Sequence, residues 1–133
     1  MKKTFSTAWK SSKAPRKQRK YIAKAPLHIK RKFLSAHLSK ELIKKYHRKS
    51  LPVRSGDVVK VARGQFKKTK GKITSLNLKK TKVYIENIHI TKKDGTKAFY
   101  PIHPSNLIIQ DLNLDDKERK KILDRKKVEE KKK

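Results

Sequence analysis

The sequence predicts a mainly β protein: a small twisted barrel that carries a basic N-terminal extension with short helices and a C-terminal helix. Three observations lead there. Short segments rich in β-branched residues (Val59/Val61, Ile73, Val83/Ile85, Ile88/Ile90) recur between residues 51 and 110, each bounded by turn residues. Hydrophobic residues make up 34% of the 133-residue chain, below the usual globular share, so the core must be small. The positive charge, 40 Lys/Arg against 11 acids for a net of +29, is concentrated ahead of those strands.

Taken in order, residues 1–50 hold 17 basic residues and one acid, a net of +16. Up to about Ala25 there is little hydrophobic periodicity, and a chain that buries so little apolar surface is expected to stay disordered when alone. Pro26 is suited to the first turn of a short helix over residues 27–36. Ser39 reads as the N-cap of a second helix, with Glu41 favourable in its first turn and Leu42, Ile43 and Tyr46 as its apolar stripe. Residues 51–110, net +10, are the barrel. Ser55-Gly56-Asp57, Gly64, Gly71 and Asp94-Gly95 are its turn signals, and Asp94-Gly95 suits a hairpin because both central positions favour positive φ. Leu107–Ile109 offers a last strand. Residues 111–133 hold 10 basic and seven acidic residues, a net of +3. From Asp115 onward they read as a solvated helix: Asp115/Arg119 and Asp116/Lys120 are spaced i,i+4, while Ile122, Leu123 and Val128 are too few for a deeply buried face.

A net charge of +29 repels itself, and a polyanion relieves that repulsion. Nucleic acid is the expected one, because neutralising its phosphates releases condensed counterions. An anionic membrane surface would need an apolar helical face opposite the charge, and no stretch supplies a strong one. The chain contains no Cys, which removes disulfides, Cys-based zinc sites and thiol chemistry. His28, His37, His47, His89 and His103 show no short ligand spacing, so no metal or cofactor is expected. The first twenty residues have no apolar run of the secretory kind, and no membrane span is read, so the chain is expected in the cytoplasm.

Three motifs carry the candidate chemistry. The first is the arm, where Arg16, Lys17, Arg19 and Lys20 offer donors to phosphate, Tyr21 a ring for base stacking, and Trp9 a ring to insert into an RNA crevice. Lys24, His28, Arg31 and Lys32 extend this candidate RNA-binding set. Short basic runs are also solvated tails or targeting tracts, but the whole-chain charge favours RNA. The second is a loop bracketed by Gly64 and Gly71, with Arg63, Lys67, Lys68, Lys70 and Lys72 as cations and Phe66 as its aromatic. Six residues separate those glycines and Ile73 follows Lys72, so it does not match a nucleotide-binding P-loop. The third is His103-Pro104-Ser105-Asn106, which reads as a turn. His103, Ser105 and Asn106 can contact phosphate or sugar from it, whereas a catalytic role for His103 lacks a partner nearby in sequence. Asp57, Glu86 and Asp94 are too sparse for acid–base work and suit turns or local ion pairing. No enzyme constellation emerges.

SGDVVKVARGQFKKTKGKI followed by KKTKVYIENI resembles the KOW motif of ribosomal and transcription-elongation proteins. APRKQRK, APLHIKRKFLSAHLSKEL, LPVRSGDVVKV and FYPIHPSNL follow in the order seen in a universal large-subunit ribosomal protein family, numbered twenty-four in bacteria and archaea and twenty-six in eukaryotic cytoplasm. The resemblance spans about residues 11–123, and APLHIKRK and FYPIHPSN favour the archaeal or eukaryotic branch. It implies an SH3-like barrel bound to large-subunit rRNA as an early assembly protein. It also implies neighbouring ribosomal proteins, and targeting or translocation factors at the nascent-peptide tunnel exit, as partners. One departure stands out: Lys68 occupies the place of a glycine common in family loops, so an altered loop path and one more cation are expected. The competing reading is a KOW module acting on transcription complexes, but residues 1–50 are too basic and too poor in strand signal for the α/β domain that usually precedes one.

Overall fold

The computed structural model describes residues 4–130, with side chains to residue 125. The chain runs through a 3-10 turn (Thr7–Ser11), α1 (Pro15–Lys24), α2 (Leu27–Phe33), β1 (Ser35–Leu38), α3 (Lys40–Tyr46), β2 (Ser50–Pro52) and β3 (Val58–Val61). Then come β4 (Lys70–Asn77), β5 (Lys82–Ile85), β6 (His89–Thr91), β7 (Lys97–Phe99), a 3-10 turn (Pro104–Asn106), β8 (Leu107–Asp111) and α4 (Lys117–Glu130). The protein is sheet-rich, as its β-branched segments predict. Six strands form one mixed sheet in the order β2-β1-β8-β3-β4-β5, and β6 and β7 form a separate hairpin.

The sheet curls. Register shifts between Val58 and Val59 in the β3–β8 pair, and between Ile73 and Ser75 in the β4–β5 pair, increase the local twist. Val83 of β5 bridges Ile102, only five residues ahead of β8, so the far edge of the sheet returns toward its middle. Inside the curl, Val59, Val83, Ile85, Ile88, Leu107 and Ile109 are completely buried. Gly71 permits the closure, because a Cβ there would stand 2.6 Å from Ile85 Cγ2. That close approach is made within the barrel-like core.

Two helical expectations need correction. The helix expected over residues 27–36 ends at Phe33, with Pro26 as its N-cap and Ser35–Leu38 continuing as β1. Ala36 and Leu38 are buried while His37 is exposed, an alternation of period two that suits a strand. β1 pairs antiparallel with β2 and parallel with β8, drawing residues ahead of position 51 into the sheet. The segment up to Ala25, expected to be disordered, holds the first 3-10 turn and α1. Pro15 sits in the first turn of α1, and Gln18 Nε2 donates to the carbonyls of Lys10 (2.8 Å) and Ser12, tying turn to helix. Packing of Phe5, Tyr21 and Phe33 adds apolar burial that sequence periodicity does not reveal.

α3 matches its expectation. The Ser39 side chain accepts from Leu42 N–H at 3.3 Å, Glu41 lies in the first turn and Tyr46 is buried. The hairpin at Asp94-Gly95 forms, with only Gly95 at positive φ (83°) rather than both residues. Gly95 N–H donates to Lys92 O (3.0 Å) and Lys92 N–H to Thr96 O (2.9 Å), a three-residue loop rather than a two-residue one.

The C-terminal helix is not simply solvated. Leu123 is buried in the main core, and Arg119 is only 4% exposed. Arg119 does not pair with Asp115; its Nη1 and Nη2 donate to Oδ1 and Oδ2 of Asp57 at 2.6 and 2.7 Å, across 62 residues of sequence. Asp116 pairs with Arg54 at 2.6 Å and its side chain accepts from Glu118 N–H at the start of α4. The side chain of Val128 lies outside the described residues, as do residues 1–3 and 131–133.

Candidate nucleic-acid interface

β3 ends at Val61 and the chain turns at once. Lys68 N–H donates to Val61 O (2.9 Å), Lys67 N–H to Gly64 O (3.1 Å) and Val61 N–H to Thr69 O (2.9 Å), so the 62–69 segment is a bonded loop. Gly64 takes φ +94° with open space around it. Lys68 takes φ +74°, the left-handed region, where a side chain costs about 1–2 kcal/mol. At Lys68 the backbone takes a conformation that glycine favours, and the extra cation expected there is exposed. Arg63, Lys67, Lys68, Lys70 and Lys72 are all exposed.

This loop meets the turn that precedes β8. Ala62 N–H donates to Asn106 O at 2.7 Å. His103 caps the turn: its Nδ1 lies 2.8 Å from Ser105 Oγ and accepts from Ser105 N–H at 3.3 Å. Burial, and then the neighbouring Lys82 charge, hold His103 below the usual imidazole range. The bond accepted by Nδ1 requires the unprotonated form there, leaving Nε2 as a neutral donor. Between loop and turn lies a small cleft of about 130 Å³, lined by Arg63, Gln65, Phe66, Lys82, Tyr100 and His103 among others. Phe66 and Tyr100 pack at 5.2 Å between ring centroids. Two segments forty residues apart in sequence, Arg63 onward and His103 onward, therefore form one surface.

Lys82 was not singled out in the sequence, although Lys79, Lys80 and Lys82 crowd the β4–β5 turn and are a legible basic signal. Tyr100 carries no such signal: long-range pairing places it beside Phe66, through its N–H bond to Ile88 O (3.1 Å) and the Val83–Ile102 bridge.

The arm presents its cations elsewhere. Arg16, Lys17, Arg19, Lys20 and Lys24 project from α1 into solvent, and His28, Arg31 and Lys32 do so from α2. Tyr21 needs correction as a free stacking ring: it is 8% exposed, with Phe5 and Phe33 ring centroids at 5.0 and 5.9 Å. An amphipathic ring gains more from that aromatic cluster than from solvent. Trp9 meets Phe5 edge-on at 6.4 Å and stays 42% exposed. No three His, Asp or Glu among the described residues gather as a metal-binding group. No helix among the described residues is long and apolar enough to cross a membrane.

A curled sheet with exposed cations on a loop, on the β4–β5 turn and on two helices presents the surface of a strongly basic protein, of a kind that suits a polyanion. The comparisons narrow this class. Residues 12–126 match the family of ribosomal proteins L26 eukaryotic, L24p archaeal. The chain is also 45% identical over 115 residues to the large ribosomal subunit protein uL24 of Methanosphaera stadtmanae, covering 86% of this chain and 98% of that protein. The chain belongs to the L26/L24p ribosomal protein family, on its archaeal/eukaryotic branch. Membership makes it a ribosomal structural protein rather than an enzyme.

Proposed function

We propose that the chain is a structural constituent of the large ribosomal subunit that binds and organises rRNA in the cytoplasm. The observation that carries the reading is the convergence of the 62–69 loop, Lys82 and the 103–106 turn on one basic surface, in a chain of this family. Phosphate contacts from Arg63, Lys67, Lys68, Lys70 and Lys72 fix the protein's register, while RNA shape and 2′-hydroxyls supply specificity. His103 Nε2, Ser105 and Asn106 add neutral polar contacts from the turn. Arg16, Lys17, Arg19, Lys20, Lys24, His28, Arg31 and Lys32 reach separate RNA segments from α1 and α2.

The finer fold reading belongs here as well. The curled sheet supports an SH3-like barrel with the KOW motif running from β3 through the 62–69 loop and β4 to β5. Division of labour follows: residues 1–50 as RNA-engaging arm and short helices, with β1 lent to the sheet, 51–110 as barrel, 111–133 as mixed-charge tail. Neighbouring ribosomal proteins, and targeting or translocation factors near the tunnel exit, are the proposed protein partners of an early-assembling subunit component.

Salt dependence tests the mechanism. Replacing Arg16, Lys17, Arg19 and Lys20 by Ala removes four phosphate contacts. The slope of log K against log salt should shrink by roughly 3, taking the single-strand coefficient of about 0.7 per contact. An unchanged slope and affinity would remove the arm from the binding mechanism.

A further inference from the structure

The Thr7–Ser11 turn folds against α1 and leaves an open groove of about 450 Å³ between them. Its walls are Trp9, Ser11, Ser12, Lys17, Lys20 and the edge of Tyr21. Three features suit it to one chemistry. Trp9 is 42% exposed and held edge-on by Phe5, which leaves ring surface open to a flat aromatic partner. The two lysines place positive charge at the rim without an acid among the lining residues. Ser12 adds a hydroxyl that can donate or accept, and Ser11 Oγ, whose proton goes to Ala8 O, can still accept from the edge of a base. The groove is also prearranged. Gln18 bonds the carbonyls of Lys10 and Ser12, Ser11 Oγ donates to Ala8 O at 2.8 Å, and Tyr21 is locked between Phe5 and Phe33. Trp9 and Ser11 precede residues 12–126, so part of this groove lies outside the stretch that matches the family.

We propose that this groove is a binding site for a single unpaired nucleotide of RNA, its base stacked on Trp9 and its phosphate held by Lys17 and Lys20. The direction of insertion is the reverse of the sequence expectation: the RNA base enters a crevice of the protein. The proposal rests on the RNA-binding reading above and deepens it.

Trp9 is the sole tryptophan, so its fluorescence reports this groove alone. The test titrates the full chain at low salt with end-labelled oligoadenylate and with an abasic oligonucleotide of equal length. Binding is followed by anisotropy and stacking by tryptophan quenching. Both oligonucleotides should bind, but only oligoadenylate should quench. Trp9→Ala should weaken oligoadenylate binding about tenfold and leave the abasic strand unaffected, as loss of one base stack predicts. Gln18→Ala, which keeps Trp9 and every cation but releases the turn, should reduce the quenching. Full binding of oligoadenylate without quenching, or equal quenching by the abasic strand, would overturn the nucleotide site while leaving RNA binding intact. If neither strand bound, the RNA-binding reading of the arm would fail and the site with it.

Discussion

Lys68 shows how one residue can couple strain to charge. At φ +74° it sits where glycine is favoured, yet its N–H bond to Val61 O holds the loop in that shape. Lys68→Gly should therefore stabilise the fold by about 0.5–1 kcal/mol, the relieved strain less the greater entropy of an unfolded glycine. Chemical denaturation measures this; a loss of stability would show that the lysine stem packs favourably. The same substitution removes one exposed cation, so RNA affinity should fall while stability rises. The sequence announced Lys68 as the departure from the family loop, but its outcome depended on Val61 and Gly64, which no local pattern reports. Tyr21 teaches the complementary point. Its ring and the basic run before it were legible as a stacking motif, but Phe5 and Phe33 flank it at distances of 16 and 12 residues. No helical period connects them.

At the level of elements, α4 is fastened to the sheet by a buried pair. Asp57 is completely buried and accepts from Arg119, from Arg54 N–H (2.9 Å) and from Asn113 N–H (2.9 Å). Arg119 also donates to Asn113 O (2.8 Å) and Pro52 O (3.3 Å), while its Nε has no partner among the described residues. Removing one member leaves the other charged and desolvated, so Asp57→Ala should cost about 3–5 kcal/mol in denaturant-induced unfolding. A cost below about 1 kcal/mol would mean that water reaches the pair and that α4 docks through Leu123 alone. A helix was expected from Asp115 onward and forms from Lys117, but its docking was not readable, because the partner of Arg119 stands 62 residues away. β3, β4, β5 and β8 were visible as β-branched runs that became core. β1 was hidden, since Ser35-Ala36-His37-Leu38 is short and only its pairing with β2 and β8 makes it a strand.

For the whole molecule, a net charge of +29 on 133 residues is arranged and not spread evenly. The tail after residue 110 comes closer to balancing its charges, and one of its acids, Asp116, pairs with Arg54 of the barrel region. Exposed cations cluster on α1, α2 and the 62–69 loop, with the half-buried Lys82 beside that loop. Such a surface suits a polyanion, and family membership makes rRNA the one proposed for it. The most direct test is sedimentation of tagged protein with large subunits through a high-salt wash, followed by mapping of protein–RNA crosslinks. The chain should stay with the large subunit, with crosslinks to rRNA from α1, the 62–69 loop and the 103–106 turn. Release from the subunit at that wash, with recovery on RNA polymerase instead, would contradict the account.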